Sequence, residues 1–263
     1  MNNLKSESFN WEVPVETVPL PSKGLIYSTD SWFHMKETVD IKSMTANEED
    51  ILASQAYVKK GIVIDELIKS CVMDKSINIG DLLVGDKNAL AIAIRITGYG
   101  SKYDCNVYCV HCQHKHNKVF DLSSLPIKSL GATPVESGQN KFEYILPVSK
   151  KSVIFKIMTG NDIEELEKNV ANKRQMLGEL SIGTITSNLQ NQIVSIDGIT
   201  DKGKINEFVN IMPAFDSRSL RSYMVKVQPG IDMNVEFDCD NCNAKNKASL
   251  PINANFFWPP AII

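Results

Sequence analysis

Residues 106–112 of this chain read Asn-Val-Tyr-Cys-Val-His-Cys, and residues 236–242 read Glu-Phe-Asp-Cys-Asp-Asn-Cys. Each stretch is an extended run that ends in a Cys-x-x-Cys unit and continues through a polar turn into a second extended run. A tight turn of this kind directs two thiolates at one metal ion, and two such turns complete a tetrahedral site. The pair therefore predicts a four-cysteine zinc ribbon whose halves are separated by 126 residues.

The predicted metal ligands are the four cysteines of the two units, Cys109, Cys112, Cys239 and Cys242. Zinc suits them because thiolates are soft ligands and Zn²⁺ accepts tetrahedral coordination readily. An ion enclosed by four protein thiolates keeps no open position for water or substrate, which metal catalysis requires. The pattern therefore predicts a structural Zn²⁺ and no catalytic residue. The alternative is that each unit is a plain turn with unmetallated thiols.

The remaining cysteines and the nearby histidines are interpreted differently. Cys71 and Cys105 are predicted to be small apolar core residues rather than ligands. Three histidines crowd the first unit and are alternative metal ligands, although a solvated rim explains them more simply: His111, His114 and His116. Whether one of them replaces a cysteine stays open on the spacing alone.

Composition places the chain among soluble globular proteins. A hydrophobic content of 43% and a charged content of 22% are ordinary for that class. The net charge of −3 provides no general attraction to nucleic acid or to an anionic membrane. No apolar run approaches the roughly 20 residues that span a bilayer, and the first residues do not resemble a signal peptide. We therefore expect a reducing cytoplasm, in which paired Cys-x-x-Cys units favour metal over disulfides.

Hydrophobic patterning and turn signals predict an α+β fold in five parts. These are an extended N-terminal arm at 1–37, a mainly helical part at 38–102, a composite zinc ribbon at 103–130 and 231–254, a mixed helix and strand insertion at 131–230, and an aromatic C-terminal tail at 255–263. The two halves of the ribbon thus enclose the insertion in the sequence.

Local signals place most of the helices. The sequence Thr45-Ala46-Asn47-Glu48 is a capping box, which marks a helix start. Residues 89–94 are apolar all round and predict a central buried helix capped by Asp86 or Asn88, or on periodicity alone a buried strand. Helices are predicted at about 46–59, 63–73, 162–176, 205–212 and 216–227, and a hairpin at 142–158.

Residues 198–205 come close to a phosphate-binding P-loop but lack a required side chain. Ile205 stands where a Ser or Thr would hold magnesium, and Asp201 would bring negative charge into the phosphate cradle. A turn at Asp197-Gly198 followed by a polar loop is the simpler interpretation. A nucleotide-using enzyme is therefore a distant hypothesis, and we expect neither an enzyme nor a small-molecule substrate.

A zinc-ribbon nucleic-acid-binding or regulatory protein is the main alternative function. The residues around the second unit are acidic, whereas a phosphate-binding surface needs the opposite charge. They are Asp232, Glu236, Asp238 and Asp240. Four lysines after the two units form only a small basic edge: Lys115, Lys118, Lys245 and Lys247. We therefore expect no nucleic-acid partner.

Five further stretches are longer and more specific than a cysteine motif. They are LPSKG at 20–24, MTANEEDIL at 44–52, DLLVGDKNAL at 81–90, RITGYG at 95–100 and NFFWP at 255–259. Together with the first cysteine unit, they resemble the baseplate hub assembly proteins of T-even-type contractile-tailed bacteriophages. The resemblance covers most of the first 125 or so residues and the C-terminal half of the ribbon, and it is weaker across 131–230.

The resemblance implies a late viral protein that acts in the host cytoplasm during assembly and, in one alternative, stays in the virion tail baseplate. It would act as a chaperone or as a hub subunit by binding other baseplate hub proteins. We expect the aromatic tail to bind the partner, because aromatic side chains often dominate protein interfaces. The predicted partner-binding residues are Phe256, Phe257 and Trp258. The alternative is that they fold onto this chain's own core.

Overall fold

The computed structural model describes residues 13–177 and 183–258. Within those ranges, eight α-helices and eleven short strands make a mixed α/β fold. The helices are α1 Ala46–Ala53, α2 Gln55–Lys60, α3 Val63–Cys71, α4 Val84–Tyr99, α5 Gly160–Leu177, α6 Thr184–Gln192, α7 Lys202–Ile211 and α8 Ala214–Val227. The strands are β1 Val15–Pro19, β2 Thr38–Lys42, β3 Lys102–Tyr108, β4 Lys115–Asp121, β5 Ile127–Lys128, β6 Phe142–Ile145, β7 Ser152–Phe155, β8 Ile193–Ile196, β9 Gly230–Ile231, β10 Asn234–Asp238 and β11 Lys245–Ser249.

The described strands form small antiparallel sheets. Four sheets have two strands, β1-β2, β3-β4, β5-β9 and β10-β11, and one has three strands in the order β6-β7-β8. The β5-β9 pairing joins Ile127 to Ile231 and Lys128 to Gly230. The long segment between the two cysteine units therefore leaves and returns at one place, which brings the β3-β4 and β10-β11 hairpins together. None of the described helices has both the length and the apolarity to cross a membrane.

Helix α4 is the central helix of the core. Five of its apolar side chains are buried: Ala89, Leu90, Ala91, Ile92 and Ile94. This confirms the buried helix and excludes the strand alternative. The helix begins at Val84, so the predicted caps are wrong. The carboxylate of Asp86 is buried and accepts hydrogen bonds from a neighbouring segment of the chain instead.

That neighbouring segment is the described part of the predicted N-terminal arm. The backbone N–H and the hydroxyl of Ser22 donate to Asp86 at 2.9 and 2.5 Å, and the Tyr27 hydroxyl donates to it at 2.8 Å. Burial raises the pKa of Asp86. Apolar side chains of the segment are also buried: Val18, Leu20, Ile26 and Phe33. The prediction of an extended arm is therefore corrected for residues 13–37, and residues 1–12 lie outside the described residues.

The predicted capping box begins α1. The carboxylate of Glu48 accepts a hydrogen bond from the backbone N–H of Thr45 at 2.9 Å, as a capping box requires. It also accepts from Lys42 Nζ at 2.7 Å and from Ser70 Oγ at 2.5 Å. The predicted single helix is broken at Ser54 into α1 and α2.

The segment at 131–230 contains the predicted hairpin β6-β7 and the predicted helices α5, α7 and α8. Helix α6 was not predicted, because its polar sequence carries little hydrophobic pattern. The buried carboxylate of Asp216 accepts from the backbone N–H groups of Val148 and Ser149 at 2.7 and 2.9 Å. This carboxylate joins α8 to the β6-β7 turn. The boundaries between the five predicted parts stay predictions.

Candidate metal centre

Each Cys-x-x-Cys unit occupies the turn of a two-stranded hairpin. In the first hairpin, Tyr108 at the end of β3 pairs with Lys115 at the start of β4. In the second, Asp238 at the end of β10 pairs with Lys245 at the start of β11. The two strand pairs hold the ends of each turn together, so the cysteines project from a fixed frame.

The two turns have the same backbone geometry. The N–H of Cys109 donates to the carbonyl of His114 at 3.0 Å, and the N–H of Gln113 donates back to Cys109 at 3.0 Å. In the second turn, Cys239 donates to Ala244 at 3.0 Å and receives from Asn243 at 2.8 Å. The residue after the last cysteine is left-handed in both turns, with φ of 58° at Gln113 and 57° at Asn243. The sequence repeat is therefore also a structural repeat.

The four predicted ligands converge. Their sulfur atoms lie within 4.8 Å of one another. The Sγ atoms of Cys109 and Cys242 are 3.6 Å apart, and those of Cys112 and Cys239 are 3.5 Å apart. Four sulfurs around Zn²⁺ at about 2.3 Å would be separated by about 3.8 Å. The observed Sγ–Sγ distances are therefore close to those of tetrahedral Zn²⁺ coordination.

The cluster spans the surface and the interior. The first cysteine of each unit, Cys109 or Cys239, is buried, whereas Cys112 is partly exposed and Cys242 is exposed. None of the four is in a disulfide. Cys71 is buried and Cys105 is half-buried, and both pack with the hydrophobic core as predicted.

Three of the four cysteines have shifted pKa values, and the shifts differ in direction. Burial opposes ionisation of Cys109, but hydrogen bonds from backbone N–H groups of its own turn outweigh burial and lower its pKa to about 6. The side-chain amide of Asn241 is the main cause that lowers the pKa of Cys112. At Cys242 a backbone N–H lowers the pKa, but proton sharing with Cys239 and burial prevail and raise it to about 12. A coordinated divalent cation removes these differences in protonation, because it deprotonates the thiols that bind it.

The comparison with protein families covers most of the chain. A model of the family described as T4 bacteriophage base plate protein matches residues 18–258. The chain belongs to this base plate protein family. No curated protein and no solved structure gives a significant match. The family match confirms the T-even-type resemblance and includes residues 131–230, where that resemblance is weaker. It assigns the chain a structural or assembly role in the phage tail baseplate, in contact with other baseplate proteins.

One histidine of this base plate protein lies against the sulfur cluster. His116 is buried, its Nε2 lies 3.2 Å from Cys239 Sγ, and its Nδ1 lies 3.2 Å from Asp240 Oδ2. His111 and His114 are exposed and fit the predicted solvated rim. The rim interpretation is wrong for His116. It lies on the inward face of β4, which strict alternation along the strand could have indicated.

Asn246 occupies in β11 the position that His116 occupies in β4. It is buried, and its Oδ1 accepts a hydrogen bond from the backbone N–H of Val110 in the other turn at 2.9 Å. Each hairpin of the base plate protein thus extends one buried polar side chain to the opposite turn. These reciprocal contacts hold the two cysteine pairs in register. Sequence reasoning considered His116 only as an alternative ligand or a rim residue, and it did not single out Asn246.

The lysines of the predicted basic edge are partly neutralised. Lys118 Nζ lies 2.7 and 2.8 Å from the two carboxylate oxygens of Asp240. Lys247 Nζ lies 2.9 Å from Glu236 Oε1. These ion pairs reduce the positive charge that the hairpins could offer to nucleic acid.

The aromatic tail is largely internal. Phe256 and Phe257 are fully buried, and the Phe256 ring packs 5.0 Å from that of Tyr103. The buried guanidinium of Arg95 donates through Nε to the carbonyl of Phe256 at 3.1 Å. The partner-binding prediction is therefore corrected for Phe256 and Phe257, whose rings belong to this chain's core. Trp258 is 39% exposed and stays a candidate, and residues 259–263 lie outside the described residues.

The P-loop-like segment has an ordinary structural explanation. Strand β8 ends in a turn in which Asp197 and Gly198 have positive φ, as the turn interpretation predicted. The carboxylate of Asp201 accepts from the backbone N–H of Lys204 at 2.9 Å and caps α7. That carboxylate thus already occupies a backbone N–H group at the helix start, which a phosphate cradle would require.

Proposed function

We propose that this base plate protein is a non-enzymatic baseplate hub assembly protein that binds other hub proteins. In this proposal Cys109, Cys112, Cys239 and Cys242 hold one structural Zn²⁺. The observation that carries the proposal is the convergence of the four sulfurs within a chain of the base plate family.

The zinc ion would stabilise the fold by joining two distant parts of the chain. Structural zinc contributes its binding free energy to folding, and part of that energy appears as stability in a domain with its own core. The ion would also fix the base of the long segment between the hairpins. Four thiolates leave no vacant position for substrate, so the metal has no catalytic role.

The hydrogen bonds of the buried carboxylates support a non-enzymatic role. Three carboxylates are buried among the described residues, Glu48, Asp86 and Asp216, and each accepts hydrogen bonds that join separate segments of the chain. They serve the fold, and no two of them share a hydrogen-bond partner. A rigid scaffold of this kind suits assembly by protein binding.

The proposed site of action is the host cytoplasm during assembly, with the virion tail baseplate as the destination. A chaperone would leave the completed hub, whereas a hub subunit would remain in it. Both alternatives require direct binding to other hub proteins.

The test is reconstitution from purified components. The base plate protein, purified with its metal, is mixed with each purified hub protein of the same phage and analysed by size-exclusion chromatography. The proposal predicts co-elution with at least one hub protein. Retention in the completed hub identifies a subunit, and release identifies a chaperone.

A parallel gel-shift experiment uses single- and double-stranded DNA over a range of salt concentrations. Co-elution with no hub protein, together with a salt-sensitive shift of the DNA, would replace the proposal with the nucleic-acid-binding alternative. Co-elution with no hub protein and no shift would reject both functions.

A further inference from the structure

The outer face of α8 forms a groove with strand β6. The groove has a volume of about 370 Å³, and we call it the α8 groove. Its lining consists of Tyr144 from β6 and Phe215, Arg218, Ser219, Ser222, Tyr223 and Lys226 from α8. β6 is an edge strand of the three-stranded sheet, so the groove lies where the sheet has no further described neighbour.

Aromatic side chains make the floor of the groove rigid. The rings of Tyr144 and Tyr223 stack with centroids 4.7 Å apart and an interplanar angle of 25°. Phe155 packs edge-on against Tyr223 from the core side, at 5.9 Å. Beside this floor, Phe215 lines the groove and is 62% exposed. An exposed aromatic ring beside a stacked aromatic floor offers an apolar contact surface.

The groove carries positive charge that the described residues do not balance. Arg218 and Lys226 line the groove and are exposed, and neither forms an ion pair within the described ranges. The one carboxylate of α8, that of Asp216, is buried against the β6-β7 turn. Glu143 precedes Tyr144 in β6, and side chains alternate along a strand, so it lies on the opposite face.

We infer that the α8 groove binds an acidic segment of another baseplate protein, one that also carries an aromatic or aliphatic side chain. Guanidinium groups form strong, oriented hydrogen bonds to carboxylates, and unbalanced cations favour an anionic partner. Tyrosine, phenylalanine and arginine are the side chains enriched in the centres of protein interfaces. Phe215 and the stacked tyrosines offer apolar contact, which a phosphate backbone does not use. The inference rests on the proposed function, because it assigns the surface through which hub proteins would be bound.

The experiment compares the zinc-loaded full chain with two double variants of equal net charge. R218E/K226E reverses the groove cations, and the control K59E/K60E reverses two lysines in the last turn of α2. Circular dichroism melting establishes that both variants fold. A third variant, F215S, removes the exposed ring and leaves the charge unchanged.

Binding is measured by fluorescence anisotropy with three labelled probes: a poly(Glu,Tyr) copolymer, poly-Glu and oligothymidine. The same proteins are then tested against each purified hub protein. We expect poly(Glu,Tyr) to bind the wild type more tightly than either other probe. We expect R218E/K226E to bind it about tenfold more weakly, because reversed charges at an interface oppose an acidic partner. F215S should weaken poly(Glu,Tyr) binding and leave poly-Glu binding unchanged, and K59E/K60E should match the wild type.

Each outcome decides the inference. If R218E/K226E binds poly(Glu,Tyr) and the hub proteins as tightly as K59E/K60E does, the α8 groove is not the binding site. The proposed function would remain intact. Tighter binding of oligothymidine than of poly(Glu,Tyr) would overturn it in favour of nucleic acid. Binding of poly(Glu,Tyr) without any hub protein would reject the proposed function and the baseplate identity of the partner, and would retain only the preference for acidic peptides.

Discussion

His116 Nε2 lies 3.2 Å from Cys239 Sγ, although the two residues are 123 positions apart in the chain. The other ring nitrogen lies 3.2 Å from Asp240, so the imidazole is held between a carboxylate and a sulfur of the second hairpin. Contacts of this kind orient metal ligands and tune their basicity. His116 is therefore a positioning residue for the proposed zinc site.

Replacing His116 with Ala should weaken zinc binding about 10- to 100-fold, the range for loss of a contact that orients a ligand. The measurement is competition with a chromogenic chelator, supported by the thiolate-to-metal absorption of the cobalt-substituted protein. H114A is the matched control, because His114 is exposed in the same turn. Equal zinc affinity of H116A and H114A would contradict a positioning role.

Replacing Glu48 with Gln should lower the free energy of unfolding by about 2–3 kcal/mol, because Lys42 and Ser70 lose a buried, charge-assisted partner. Burial alone would raise the pKa of Glu48, but the hydrogen bonds from Lys42, Ser70 and Thr45 outweigh it and hold the pKa well below its ordinary value of 4.5. A carboxyl whose pKa is lower in the folded state than in the unfolded state stabilises the fold fully at pH values above the unfolded pKa. That contribution is lost as the pH falls from the unfolded pKa toward the folded pKa.

Urea unfolding at a series of pH values checks this contribution. Between about pH 5 and pH 3, the wild type should lose more stability than E48Q, so the difference between them narrows. D50N is the control, since Asp50 is an exposed carboxylate in the middle of the same helix, α1. A constant difference between the wild type and E48Q across this range would show that the charge of Glu48 is not the stabilising feature.

The aromatic tail allows a contrast between a core ring and a partly exposed one. F256A should cost about 3–5 kcal/mol of stability, as truncation of a buried phenylalanine does. W258A should change stability by less than about 1 kcal/mol, because substitutions of exposed residues have small effects. If Trp258 binds a hub protein, W258A will weaken that complex without altering the unfolding midpoint. Similar stability of F256A and W258A would contradict the burial of Phe256.

The cysteine cluster could be predicted from sequence because its determinants are local and repeated. A Cys-x-x-Cys turn with matching flanks specifies the direction of its own two thiols, and two copies indicate a shared site. The contacts across the cluster could not be predicted this way. His116 and Asn246 depend on how the two hairpins are placed relative to each other, which follows from the β5-β9 pairing and not from either turn.

The stretches that carry the family resemblance meet through polar groups inside the fold. Ser22 of the first stretch donates to Asp86 of the third. The Tyr99 hydroxyl of the fourth donates to Glu49 of the second. Such bonds, between positions 64 and 50 apart in the chain, have no periodic signature, so pattern reasoning identified the segments without their connections.

The position of the aromatic tail could not be predicted from the sequence either. Aromatic residues near a chain end fit an interface and a core equally well, and only the position of Arg95 decides between them. Its Nε bonds the Phe256 carbonyl, and its two other guanidinium nitrogens bond the carbonyls of Gly100 and Lys102 at 2.8 and 3.2 Å. These bonds hold the tail against the central helix.

The most direct test of the account is the metal content of the protein purified without chelators. Elemental analysis should find one zinc ion per chain in the wild type and in C105S, which removes a cysteine outside the cluster. C239S should lose zinc, since it removes a buried ligand. An absence of bound zinc in the wild type, or equal zinc in C239S and C105S, would contradict the four-cysteine site.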